Sequence, residues 1–120
     1  MKKILVLVIL LELLFLFPTT THADSPITAT DFYKAYLDVK MVERAHLEGV
    51  MGLEIAEFLT SPENPIDAKA AVINALSWRF DGKNNAELYA CYLALLYHVS
   101  LIELDTAFLS ADEIFCMGYL

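Results

Sequence analysis

Asn64-Pro65-x-Asp67, Asn84-x-x-Glu87 and Ser110-x-x-Glu113 recur along the second half of this chain. They constrain its fold more than any other feature. A small polar side chain followed three residues later by an acid is the signature of a helix start. The first oxygen accepts a free backbone N–H of the opening turn, and the acid reaches back to the N–H of the cap. Proline suits the first helical position because it has no N–H to leave unpaired. No stretch shows the strict apolar–polar alternation of a half-buried strand. The chain therefore reads as all-α, a small four-helix domain.

Thr28 with Asp31 opens a first helix over 29–59, which Ser61-Pro62-Glu63-Asn64-Pro65 ends. A second helix runs from Pro65 to Phe80 and stops at Asp81-Gly82. It is amphipathic, with Ile66, Ile73, Leu76 and Phe80 on one face and Asp67, Asn74 and Arg79 away from it. A third starts at Asn84 and a fourth at Ser110. From Leu88 to Ile102 nearly every residue is apolar, which predicts a third helix buried on all sides at the centre of the domain. In the first helix Ala45, Gly49, Gly52 and Ala56 fall on one stripe. Each interior glycine costs about 1 kcal/mol against alanine, so the stripe implies close approach of another helix, from this chain or a second subunit. The fourth helix reaches Phe115-Cys116-Met117-Gly118-Tyr119-Leu120 without a polar tail. Either this end docks on the core or the sequence continues.

The beginning of the chain is of another kind. Lys2 and Lys3 precede an apolar run over 4–17, followed by Pro18 and by Thr21-His22-Ala23. That is the order of a secretory leader, with cleavage expected after Ala23. The run is 14 residues long and contains Glu12, whereas a spanning helix needs roughly 20 apolar residues. The expectation is a signal peptide over 1–23 and a single helical domain over 24–120, exported by a bacterium to the periplasm or beyond, with no membrane association after cleavage. Without Lys2, Lys3 and Glu12 the chain keeps six basic and 15 acidic residues, a net charge of −9. Such a chain repels phosphate backbones, so nucleic acid is an unfavourable partner. Apolar residues make up 54 of the 97 that remain, above the usual share of roughly 45–50%. A domain this small has limited interior, and part of that surface is expected to meet another protein.

Cys91 and Cys116 are the only cysteines. In an oxidising compartment an even count predicts a disulfide, adding about 3 kcal/mol by the chain-entropy account. Two buried free thiols are the alternative. Glu43-x-x-His46 has the spacing by which one helix offers two metal ligands, but no second copy exists. Glu54 and Glu57 continue the line as a solvated acidic face. His98 reads as a core or boundary histidine, and Tyr89, Tyr92 and Tyr97 as packing residues. No nucleophile motif, phosphate loop or Cys-x-x-Cys pair is present. No catalytic, metal or cofactor residue is assigned, and the chain is not expected to be an enzyme.

The segment Arg44-Ala45-His46-Leu47-Glu48-Gly49-Val50-Met51-Gly52-Leu53 resembles a helix of small periplasmic immunity proteins of the Rap/Tai type. That helix carries an aromatic-Leu-x-Gly-Val-x-x-Gly-Leu pattern, with His46 here at the aromatic position. Thr28-Ala29-Thr30-Asp31-Phe32-Tyr33 is similar to its Thr-Ala-x-x-Phe entry. The resemblance implies an exported, all-helical, disulfide-containing and often dimeric protein. Such proteins neutralise toxic effectors, commonly cell-wall amidases, delivered by type VI secretion. The expected function is binding and inhibiting such an effector. A basic enzyme cleft would meet exposed acids such as Glu54, Glu57 and Glu63. A carrier of a small apolar ligand, or a structural periplasmic protein, is the alternative.

Overall fold

The structure, a computed structural model, describes residues 25–77 and 84–120, apart from the side chains of Pro26 and Ser77. The expected leader, together with Arg79, Phe80 and Asp81-Gly82, lies outside the described residues. Six α-helices and three 3-10 turns are present among those described, with no strand. The helices are α1 (Pro26–Ala29), α2 (Lys40–Glu48), α3 (Leu53–Thr60), α4 (Ile66–Ser77), α5 (Asn85–Leu96) and α6 (Ala111–Tyr119). The all-α class holds; the count of four helices does not.

The expected first helix is broken into α1, a 3-10 turn (Phe32–Tyr36), α2 and α3. Gly49 takes the left-handed conformation, φ 65°, and donates its N–H to the Ala45 carbonyl, which closes α2. Gly52 is extended and accepts the Ala56 N–H, which opens α3. Two glycines that would weaken one long helix instead end one and begin the next. The Ala45, Gly49, Gly52 and Ala56 stripe is therefore not the face of a single helix. The Thr28–Asp31 capping box does not form either, and Asp31 pairs with Lys34.

The helix at the centre is α4. Every residue from Ala68 to Leu76 is buried, and α1, α2, α3, α6 and the first 3-10 turn all pack on it. Ala68, Ala70, Ala71 and Ala75 are small enough to admit neighbours on every side. This corrects the expectation of an amphipathic second helix, since Asn74 is buried and Ile66 is exposed. Asn74 is buried because it is fully used. Its Nδ2 donates to the carbonyls of Ile27 (2.6 Å) and Thr30 (2.7 Å), and its Oδ1 accepts the Tyr33 N–H at 3.0 Å. One side chain thus replaces the missing backbone partners of the irregular segment before α2.

The expected buried third helix is α5, and it is buried on one face only. Asn85, Tyr89, Leu93 and Ala94 face inward, while Leu88, Leu95 and Leu96 are exposed. It also stops at Leu96 rather than Ile102. His98 is exposed and left-handed, φ 56°, and its N–H bonds to the Leu95 carbonyl while the Val99 N–H bonds to that of Ala94. These are the paired bonds of a Schellman ending, a place usually held by glycine. We expect His98→Gly to stabilise the chain by about 1 kcal/mol, seen as a higher urea midpoint; a lower midpoint would contradict this reading.

The remaining starts follow their caps to different degrees. At α6 the reciprocal box forms: Ser110 Oγ accepts the Glu113 N–H at 3.2 Å and Glu113 Oε2 accepts the Ser110 N–H at 2.7 Å. Asn84 does precede α5, but its Nδ2 donates to Glu87 Oε2 without capping a backbone N–H. Before α4 the cap is Pro65, whose carbonyl accepts the Lys69 N–H, while Asn64 donates to the Phe58 carbonyl. The end of α6 docks on the core through Cys116, with Phe115, Met117 and Leu120 packed against it.

Candidate functional site

Between α3 and α5 lies an apolar groove of about 200 Å³. Its floor is Met51, Gly52 and Ala56, and its walls are Leu53, Leu88, Tyr92 and Leu95, with Cys91 at its edge. Asn85 sets the walls relative to each other. Its Oδ1 accepts the Met51 N–H at 2.7 Å and its Nδ2 donates to the Gly49 carbonyl, so the α2–α3 turn is tied to the start of α5. Leu53 is 66% exposed and Leu95 77% exposed, although both belong to regular helices. Tyr89 stacks near Tyr92, their ring centroids 6.4 Å apart. Burial, with the Glu57 carboxylate second, pushes the Tyr92 phenol above its ordinary range.

The residues expected to matter divide around this groove. Gly52 and Ala56 line it, whereas Ala45 and Gly49 are buried in and at the end of α2. Glu54 and Glu57 are exposed on α3. Glu54 pairs with Arg44, which also holds Glu48 at 2.8 Å. Glu63 is exposed in the loop beyond α3, away from the groove-lining residues. Cys91 and Cys116 are both free thiols. The expected Cys91–Cys116 bridge is therefore corrected. Cys91 is exposed at the groove, whereas the Cys116 sulfur points into the core, 4.0 Å from the Leu59 carbonyl. Burial pushes the Cys116 thiol up to about 11, so it stays protonated at neutral pH and is a poor nucleophile.

A second cleft, about 590 Å³, opens where the ends of α3 and α5 meet the start of α6. Beneath it sits a polar network that sequence reading missed. Lys69 is completely buried on α4, and its ammonium pairs with Asp112 at the cleft wall. Glu113 is also buried; both its oxygens accept from the Tyr97 hydroxyl at 2.8 Å while one holds the Ser110 cap. Burial first, and the bond to Glu113 second, raise the Tyr97 phenol. Deeper in, Tyr89 and Thr60 share a hydroxyl hydrogen bond of 3.1 Å, and burial holds the Tyr89 phenol protonated. Each acidic or phenolic member already has a partner inside the chain, which suits a network that fixes α6 on α4 and α5. The one available signal was a lone cation, Lys69, inside an alanine-rich helix.

The Glu43-x-x-His46 pair does not converge on a common point. Glu43 is exposed, whereas the His46 ring stacks on Tyr33 with centroids 4.9 Å apart. Among the described residues no group of three or more His, Cys, Asp and Glu is placed to hold a metal ion. No helix of the described residues is long and apolar enough to cross a membrane. Compared with protein-family models, curated proteins and solved structures, the chain matches none.

Proposed function

We propose that this chain is an exported, non-enzymatic helical protein whose work is to bind another protein, as an immunity protein binds a periplasmic effector. The observation that carries the reading is the apolar surface around the α3–α5 groove, where Leu53, Leu88 and Leu95 stand in solvent on ordered helices. Contiguous apolar surface rimmed by charge marks an interaction site. The secretory order of residues 1–23 puts the partner in the same compartment, and the acidic balance of the chain favours a basic one. A carrier of small apolar ligands is less well supported. Such sites enclose most of the ligand in roughly 300–1,000 Å³ of mainly apolar wall; the apolar groove is smaller and open, and the larger cleft by α6 is lined in part by Ser110, Asp112 and Glu113.

The test is growth. Each candidate toxic effector from the genes adjoining this one is directed to the periplasm, and cells making the one it neutralises are expected to survive only when they also make this chain with its leader. Death of cells that export the chain in full overturns the immunity reading for that pair.

A further inference from the structure

We infer that the α3–α5 groove receives an amphipathic helix of the partner protein, one whose apolar ridge is flanked by lysine or arginine. The inference rests on the protein-binding reading above and names the surface and the chemistry it would use. Three observations lead to it.

The first is spacing. Leu88, Cys91 and Leu95 recur at i, i+3 and i+7 along α5, and Leu53 and Ala56 at i and i+3 along α3. Two apolar rows with a channel between them are what an incoming helix meets when its ridge packs into a groove. A β-strand partner would need an open sheet edge, and the described residues contain no strand.

The second is Gly52. Its backbone is extended, φ −107° and ψ 170°, a conformation open to any residue. A Cβ built there would meet only Glu48 Oε2, at 3.8 Å, an ordinary contact. Neither the turn nor packing within the chain requires glycine at this point. Gly52 lines the groove beside Ala56, so a larger side chain can be placed at the α3 end of the groove without disturbing the fold.

The third is charge. The two helices that form the groove carry Glu54, Glu57 and Glu87 and no lysine or arginine. Arg44, from α2, offsets part of this at Glu54 only. A second copy of the exported chain, itself at −9, would set carboxylates against carboxylates, and an anionic membrane would be repelled in the same way. A cationic helix suits both the apolar rows and the acidic helices that carry them.

Cys91 provides the readout, since it is exposed at the groove while Cys116 is buried. The purified, reduced chain is mixed with a synthetic amphipathic helical peptide bearing leucines at i, i+4 and i+7 and lysines beside them. Binding is followed by fluorescence anisotropy, and maleimide alkylation of Cys91 by mass. The lysine peptide is expected to bind and to slow Cys91 alkylation about tenfold, while a glutamate-for-lysine version does neither. Gly52→Leu, which adds bulk at the α3 end of the groove, and Leu95→Gln, which strips an apolar wall, are each expected to weaken binding about tenfold. Two substitutions on different helices of the groove guard against a misfolded variant, and an unchanged melting temperature for Leu95→Gln identifies a surface effect. Equal binding of the glutamate peptide overturns the inference, as does binding that leaves Cys91 reactive. A dimer with Cys91 already shielded assigns the groove to a second copy and overturns it too. Cell survival in the growth assay with Cys91 unprotected in the effector complex removes this inference alone; loss of survival with peptide binding intact removes the immunity reading alone.

Discussion

Replacing Asp112 with alanine is expected to lower the stability of the chain by about 3 kcal/mol, while Lys69→Met stays within about 1 kcal/mol of the unaltered chain. The asymmetry follows from burial. The Lys69 side chain is 0% exposed and its ammonium has Asp112 as its ionic partner. Removing Asp112 strands a charge where water cannot reach it. Removing Lys69 leaves a carboxylate that is 38% exposed and able to find water. Methionine also fills much of the lysine's volume among the alanines of α4. The double variant is expected to recover most of the loss, so the two sites are strongly non-additive. Urea titration of the four chains measures this. A Lys69→Met penalty larger than that of Asp112→Ala would show that the pair, not the stranded charge, dominates.

Asn74→Ala is the second large effect, also about 3 kcal/mol. Its cause is different, because no charge is involved. The substitution leaves the carbonyls of Ile27 and Thr30 and the N–H of Tyr33 without the side chain that serves them. It also opens a void beside the central helix. The loss is expected to appear locally before it appears globally. Residues 25–36 should exchange their amide hydrogens faster and become the first site of proteolytic nicking, with α5 and α6 protected as before. Uniform loss of protection across the chain would mean that Asn74 supports the core as a whole rather than its entry segment.

These two residues also show where sequence and structure part. The all-α class was legible because caps such as Ser110-x-x-Glu113 act within one turn and need nothing from the rest of the molecule. The α2–α3 break turns on the left-handed Gly49, but the apolar pattern on either side read through it as one helix. Glycine weakens a helix without saying whether the helix bends, breaks or continues, and only the neighbouring packing decides. Burial was the least legible property. The most apolar segment, α5, shows Leu88 and Leu95 to solvent, while α4 is central and carries Lys69 and Asn74. Apolarity reports what burial would gain. It does not report which helix has neighbours on every side. The groove combines both errors, since it is made of leucines expected in the core and of a glycine expected inside a helix.

The disulfide went the same way. An even cysteine count behind an expected secretory leader favours pairing in general, but the side chains must also face each other. Here Cys116 faces Leu59 and Cys91 faces solvent. The free Cys91 thiol beside an apolar groove is a more informative outcome, because it makes the groove measurable.

The central claim is that this chain works by binding a protein through the surface around that groove. The most direct measurement is the growth assay repeated with altered chains, each checked for export and folding. Cells exposed to the effector identified in that assay are expected to survive with the unaltered chain and with Ile102→Gln, a fully solvent-facing change outside the groove. They are expected to die with Leu95→Gln combined with Gly52→Leu. Survival with the groove variant as good as with the unaltered chain would contradict the account.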